Sequence, residues 1–238
     1  ALRRYPNPTG EPLRELIADT HGLTSDQVVI THAGDEALRL ALTTFVEPGS
    51  LVGVAEPSYS LYPVLAAIQG AALHCVELDA QWQPPEDFAA QLNAQECPLA
   101  CLVNPHAPSG TLLPAEQLNQ FASEFQGVLL IDEAYADFVA PERNYDSVSL
   151  INQHDNVLIL RTFSKGYSLA GLRLGYLLGQ SNLITPIMTK TRDSYNIDHI
   201  SQQLGYASFS DQAYAQETWR KVREERQRVC SALGQLGL

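Results

Sequence analysis

Val157-Leu158-Ile159-Leu160-Arg161-Thr162-Phe163-Ser164-Lys165-Gly166-Tyr167, followed eight residues beyond the lysine by Arg173, is the stretch that decides the fold. Four consecutive apolar residues read as a strand buried on both faces, the pattern of a parallel sheet. The strand delivers two hydroxyls, Thr162 and Ser164, and one lysine to a short loop. The segment Leu169-Ala170-Gly171-Leu172 then brings an arginine back to the same end. Lysine forms a Schiff base with an aldehyde, while arginine and hydroxyls hold a phosphate. One cofactor carries both an aldehyde and a phosphate, pyridoxal 5′-phosphate. A Ser-Lys pair alone is usually a solvated loop end, so the other parts of such a site have to come from elsewhere in the chain.

Working upstream, Val128-Leu129-Leu130-Ile131 is the most apolar strand, and it runs straight into Asp132-Glu133-Ala134-Tyr135. A carboxylate on the end of a buried strand is costly unless a positive group or a donor meets it; a helix cap or turn aspartate is the other reading. The strand at 99–103 ends in Asn104-Pro105-His106-Ala107-Pro108-Ser109-Gly110, a stiff loop that makes Asn104 a fixed donor. The strand at 51–55 leads through Glu56-Pro57-Ser58 to Tyr59, ahead of a helix over 61–69. Tyr59 either stacks on a planar ring or simply packs. Near the start, a strand at 28–31, the turn His32-Ala33-Gly34 and a helix over 35–46 form an anion cradle of free backbone N–H groups. Asp35 and Glu36 can equally serve that helix's own first turn.

Strands at 72–78 and 174–178, and helices over 12–21, 85–94 and 114–124, complete the alternation. Spacings too long for hairpins indicate βαβ wiring, hence a three-layer α/β/α architecture with a mainly parallel, roughly seven-stranded sheet. Ligands of such sheets sit beyond the carboxyl ends of the strands. Gly34, Tyr59, Asn104, Asp132 and Lys165 all fall on that one rim. From 200 to 236 the pattern is helical, with Leu204, Ala207, Phe209, Trp219, Val222, Val229 and Leu233 as its apolar positions. Arg220 to Arg228 reads as a solvated charged run, with partner binding as the minor alternative.

The chain has 238 residues, 45% hydrophobic and 18% charged, as in an ordinary globular protein. A net charge of −12 argues against nucleic acid and acidic membranes as partners. No apolar run reaches membrane-spanning length and no hydrophobic signal core opens the sequence, so the expected setting is cytoplasmic. Cys75, Cys97, Cys101 and Cys230 lack zinc-site spacing and read as reduced structural thiols, so no metal site is assigned.

Gly-Asp-Glu after a strand, Glu-Pro-Ser-Tyr, Asn-Pro-x-x-Pro-Ser-Gly, Asp-Glu-Ala-Tyr and Thr-Phe-Ser-Lys-Gly-x-x-Leu-Ala-Gly-Leu-Arg-x-Gly-Tyr occur here in one order. That order resembles the fold-type I, aspartate-aminotransferase-like enzymes dependent on pyridoxal phosphate, and most of all the histidinol-phosphate aminotransferases of histidine biosynthesis. The resemblance covers nearly the whole chain, from Arg4-Tyr5-Pro6 to at least Tyr195-Asn196. It implies a homodimeric enzyme that exchanges an amino group between a small-molecule amino donor and a 2-oxo acid. Threonine-phosphate decarboxylases and aromatic aminotransferases share the motifs, and a non-catalytic cofactor-binding domain is a third reading.

By the same resemblance, Lys165 holds the cofactor and shuttles the α-proton, Asp132 pairs with the pyridine N–H, and Asn104 and Tyr135 bind the ring's phenolate oxygen. Tyr59 stacks on the ring; Gly34, Asp35, Thr162, Ser164 and Arg173 hold the phosphate. Tyr5 reaches the phosphate of the neighbouring subunit's cofactor. Positive charge from Arg173 favours the neutral form of Lys165 that proton transfer needs. Two departures stand out: Ala33, where the family more often has glycine, and His106-Ala107 within the asparagine loop. The implied organisation is an N-terminal segment at 1–27 that packs on the large domain or the neighbouring subunit, then a cofactor-binding large domain at 28–198. A helical segment at 199–238 leads toward a small domain that the chain lacks. That small domain supplies the family's substrate-carboxylate arginine, so no arginine of this chain is assigned the role.

Overall fold

The computed structural model describes residues 2–237. Its strands are β1 (Val28–Thr31), β2 (Leu51–Glu56), β3 (Ala72–Glu77), β4 (Leu99–Val103), β5 (Val128–Asp132), β6 (Val157–Thr162) and β7 (Gly175–Gly179). They form one sheet in the order β1-β7-β6-β5-β4-β2-β3. The pairs β2–β3, β2–β4, β4–β5 and β5–β6 are parallel, and β7 runs against both of its neighbours. The helices are α1 (Leu13–Thr20), α2 (Ala33–Phe45), α3 (Leu61–Gln69), α4 (Phe88–Ala94), α5 (Ala115–Glu124), α6 (Ser149–Gln153), α7 (Ser181–Pro186), α8 (His199–Ser210) and α9 (Gln212–Gln235). The architecture is the expected three-layer one.

Strand periodicity divides the interior in two, because successive side chains point to opposite faces. In β5, Leu129 and Ile131 enter the core covered by α1, α4, α5, α6 and α8, whereas Leu130 enters the core covered by α2, α3 and α7. In β6, Val157 and Ile159 go one way and Leu158 and Leu160 the other. Continuous apolar runs are therefore required, since both faces are dry.

The N-terminal residues join the first of these cores. Leu13 and Ile17 of α1 are fully buried, Arg14 Nε donates to the Val28 carbonyl at 2.8 Å, and Gln202 Nε2 of α8 donates to the Asn7 carbonyl at 2.8 Å. Three local features differ from the sequence expectation. The helix expected from residue 35 starts at Ala33, and short helices at 149–153 and 181–186 stand where none was expected. The continuous helical pattern of 200–236 breaks at Asp211, whose carboxylate accepts the Tyr214 N–H at 3.1 Å and opens a new helix. On α9, Val222, Val229 and Leu233 are exposed. Its charges pair along the surface, Arg220 with Glu217 and Glu224, and Arg228 with Glu225. Among the described residues no helix is long and apolar enough to cross a membrane.

His21, at the end of α1, shares a hydrogen bond of 3.2 Å with the Tyr176 hydroxyl. Burial, reinforced by the nearby Arg161 charge, pulls its pKa from 6.5 down to about 4. The unfolded chain thus binds a proton that the folded chain refuses between pH 6.5 and pH 4, so acidification through that window destabilises the fold, by roughly 3 kcal/mol in full. His21→Gln is expected to remove this component, read as a smaller loss of denaturation midpoint between pH 7 and pH 4 than in the parent chain.

Candidate active site

Three strands meet in register at the carboxyl rim of the sheet. Thr31, the last residue of β1, and Thr162, the last of β6, both pair with Gly175, the first of β7. Because β7 is antiparallel to both, its start lies beside their ends. The 32–34 turn, the loop bearing Ser164 and Lys165, and Arg173 therefore converge.

Gly175 makes the convergence possible. A Cβ there would lie 2.9 Å from the Ala33 carbonyl carbon, 3.0 Å from the Arg161 carbonyl oxygen and 3.1 Å from the Gly34 nitrogen, all of them backbone. Gly175→Ala is expected to cost about 1–3 kcal/mol and to displace the turn, read by thermal unfolding and by weaker binding of inorganic phosphate in a titration. Ala33 itself takes a φ of 64°, a left-handed conformation that costs a residue with a side chain about 1 kcal/mol. That cost is the physical reason a glycine serves well at this position.

The rim encloses a cavity of about 250 Å³. Gly34, Asp35, Tyr59, Asp132, Tyr135, Thr162, Ser164, Lys165 and Arg173 all line it. On one side is the start of α2, whose first N–H groups have no partner within the helix. Beside it the Thr162 hydroxyl donates to the Ser164 hydroxyl at 3.0 Å and accepts the Ser164 N–H at 3.1 Å. Arg173, with a φ of 52°, places Nη2 2.8 Å from Asp35 Oδ2. The Tyr59 hydroxyl donates to the other oxygen of Asp35 at 3.4 Å. Lys165 holds its Nζ 5.5 Å from the centre of the Tyr135 ring, and among the described residues it pairs with no carboxylate.

The lysine loop is pinned from behind. Phe163 N–H donates to the Leu174 carbonyl and Leu169 N–H to the Phe163 carbonyl, closing the excursion between β6 and β7. Trp219 of α9 donates from Nε1 to the Gly166 carbonyl at 2.7 Å, and a Cβ on Gly166 would overlap the Asp137 carboxylate at 2.1 Å.

Asp132 closes the deep end. It is 6% exposed, and its neighbours are neutral donors: the Ala134 N–H at 3.1 Å to Oδ1 and the Tyr62 hydroxyl at 3.2 Å to Oδ2. Burial lifts its pKa from 3.8 to about 6, although both donors act to lower it. Among the described residues no cation pairs with this buried carboxylate, which leaves it short of a positive donor, and the protonated nitrogen of a pyridine ring is such a donor. The residues present thus fit pyridoxal phosphate: an amine at the mouth, an anion cradle at one side and an acceptor for a ring N–H at the floor.

Two of the residues assigned by resemblance lie off this wall. Asn104 is fully buried behind it: Nδ2 donates to the Leu113 carbonyl at 3.2 Å and to the Tyr145 hydroxyl at 2.8 Å, and Oδ1 accepts the Leu113 N–H at 2.8 Å. Both amide hydrogens are engaged within the fold. Tyr5 is 80% exposed and stacks on Tyr195, ring centres 4.6 Å apart.

A larger cavity, about 920 Å³, opens under α9 on the opposite face of β6, where Arg161 points. Size does not choose between the two. There the Arg161 guanidinium is committed to the fully buried Glu133, Nε to Oε2 at 2.7 Å, and Tyr145 donates to the other oxygen of the same carboxylate. This ion pair braces β5 against β6 behind the smaller cavity. Sequence reasoning missed it, along with Tyr62. Glu133 and Arg161 each stand beside an assigned residue, and the alternation of strand directions was the signal that one of each pair faces away.

The family model described as "Aminotransferase class I and II" matches residues 1–238. The histidinol-phosphate aminotransferase of Synechocystis sp. (strain ATCC 27184 / PCC 6803 / Kazusa) is 38% identical over 235 residues, covering 99% of this chain and 65% of that protein. The one from Geotalea daltonii is 36% identical over 236 residues, with the same coverage. The chain therefore spans about 65% of the length of these curated relatives. Among solved structures, the histidinol-phosphate aminotransferase from Sinorhizobium meliloti in complex with pyridoxal-5′-phosphate superposes with a TM-score of 0.89 at 28% identity, covering 96% of this chain and 62% of that one.

Proposed function

The chain belongs to the class I and II aminotransferases, and on that premise we propose that it binds pyridoxal phosphate and serves transamination of the histidinol-phosphate type, between histidinol phosphate or a related amine and 2-oxoglutarate. The observation that carries the reading is that the Lys165 amine and the buried Asp132 carboxylate face one cavity, with Gly34, Asp35, Thr162, Ser164 and Arg173, the candidate holders of a phosphate, lining its side. The similarity to histidinol-phosphate aminotransferases supports this substrate class.

When bound, the cofactor supplies an aldehyde that condenses with primary amines and a ring that withdraws electrons from the carbon bearing the amino group. The chain's own residues do the rest. Lys165 Nζ takes and returns a proton at the substrate's α-carbon, and with no carboxylate paired to it the amine is free to do so. Asp132 would accept a hydrogen bond from the protonated ring nitrogen. The N–H groups of Gly34 and Asp35, the hydroxyls of Thr162 and Ser164, and Arg173 grip the phosphate and fix the ring's position. Tyr59, edge-on to Tyr62 with centres 5.9 Å apart, offers its face to the ring. Tyr135 would orient the ring's oxygen, and Asn104 would serve that oxygen only by giving up its bond to the Tyr145 hydroxyl.

The same reading takes residues 28–198 as the cofactor-binding body, residues 1–27 as a segment packed on it and 199–238 as a helical extension. It takes the assembly as a homodimer in which Tyr5 serves the second copy's phosphate. Exposed Leu2, Tyr5, Tyr195, Ile200 and Leu204 support a partner surface at that end. Four free cysteines support a reducing, cytoplasmic setting. The test is direct: incubation with pyridoxal phosphate, borohydride reduction and peptide mapping are expected to place the label on Lys165. A label on another lysine, or none, ends the proposal. A panel of amino donors then separates histidinol phosphate from threonine phosphate and aromatic amino acids.

A further inference from the structure

Asp132 is gripped from the core side by a residue outside the motifs. Tyr62 lies in the first turn of α3 with 2% of its surface exposed, and its ring lies in the core covered by α2, α3 and α7. Its hydroxyl donates to Asp132 Oδ2 at 3.2 Å, while the Ala134 N–H takes Oδ1 at 3.1 Å. One donor on each oxygen prevents the carboxylate from turning. A phenylalanine would fill the same space, and a phenol is costly to bury unless its hydroxyl is partnered. Among the described residues the partner of this hydroxyl is Asp132. The edge-on contact of Tyr62 with Tyr59 ties the same side chain to the cavity wall.

We propose that Tyr62 is a positioning residue whose hydroxyl sets how firmly Asp132 draws the proton of a pyridine nitrogen in this cavity. The proposal rests on the reading of the cavity as a pyridoxal-phosphate site. A donor on a carboxylate withdraws charge from it and lowers its basicity, whereas burial raises it, as the raised pKa of Asp132 reflects. With the hydroxyl present, the shared proton stays on the ring nitrogen and the ring stays cationic. Without it, the proton would shift toward Asp132 and the ring would lose positive charge, a change that the visible band of the bound group would report as a higher pH midpoint.

The experiment follows the visible band of the pyridoxal-phosphate-loaded chain against pH. The parent chain comes first. A band whose reduced form maps to Lys165 upholds the cofactor reading, and its absence ends that reading and this proposal together. Given the band, Tyr62→Phe is expected to raise its pH midpoint by roughly one unit, a tenfold change in proton affinity. Leu65→Ala, in the same helix and the same core, is expected to lose more thermal stability yet leave the midpoint in place. Incorporation of 3-fluorotyrosine at position 62, a more acidic phenol of nearly the same size, is expected to move the midpoint down. That second variant tests the proposal even where Tyr62→Phe does not fold. A midpoint unmoved by either change at Tyr62, or moved as much by Leu65→Ala, overturns it.

Discussion

On the proposed function, Lys165→Ala is expected to lower the rate of transamination by about 10⁴-fold or more, because it would remove both the covalent hook and the group proposed to move the α-proton. The effect should fall on catalysis far more than on folding. Lys165 is exposed, it pairs with no carboxylate among the described residues, and its loop is held by the backbone bonds of Phe163 and Leu169 and by Trp219. The N–H groups at the start of α2, the hydroxyls and Arg173 also remain. The variant should therefore still take up pyridoxal phosphate, more weakly and without covalent capture by borohydride. Equilibrium dialysis, reductive mapping and steady-state rates on one preparation check all three. A variant that keeps a tenth of the parental rate would show that the amine is not the proton carrier.

Asp132→Asn separates function from stability, in opposite directions. The activity of the loaded chain is expected to fall roughly a thousandfold, the scale of removing a preorganised charge from a dry site. The cofactor-free chain should become more stable at neutral pH. The rise of the Asp132 pKa from 3.8 to about 6 corresponds to about 3 kcal/mol of cost when the carboxylate is charged. The folded chain binds the extra proton between those two values, so the parent loses stability as pH rises from about 4 to about 6. An asparagine does not titrate and removes that slope, while leaving one of the two donors less well matched. A gain of roughly 1–2 kcal/mol at pH 7 that disappears near pH 4 is the expected result, measured by denaturant unfolding across the range. An equal loss of stability at both pH values would mean that the carboxylate is not strained by burial.

The rim was legible because its chemistry is local. The 128–131 and 157–160 runs could only be strands with two dry faces, and each is followed at once by its polar groups, Asp132 in one case and Thr162 to Lys165 in the other. The convergence of the 32–34 turn with Arg173 needed more, namely the pairing of Thr31 and Thr162 with one glycine across two antiparallel contacts. Tyr62 was illegible for a similar reason. Within its helix it is one apolar position among several, and only the sheet order brings its hydroxyl to an aspartate 70 residues away. Asn104 shows the converse. The stiff loop fixes it as expected, but the groups that engage its amide, Leu113 and Tyr145, lie 9 and 41 residues away. The apolar positions Val222, Val229 and Leu233 mark α9 as a helix, yet periodicity alone does not say whether a covering layer exists, and all three are exposed.

Adjacent residues of β6 serve opposite compartments: Leu160 and Thr162 the cofactor side, Arg161 the side of Glu133. Loss or gain of a single residue between 157 and 162 would therefore exchange the two, swinging a guanidinium toward the lysine and a hydroxyl into the place of the buried cation. Replacement at constant length is therefore the kind of change this segment is built to accept, and the same holds at the end of β5, where Asp132 faces the smaller cavity and Glu133 the ion pair behind it.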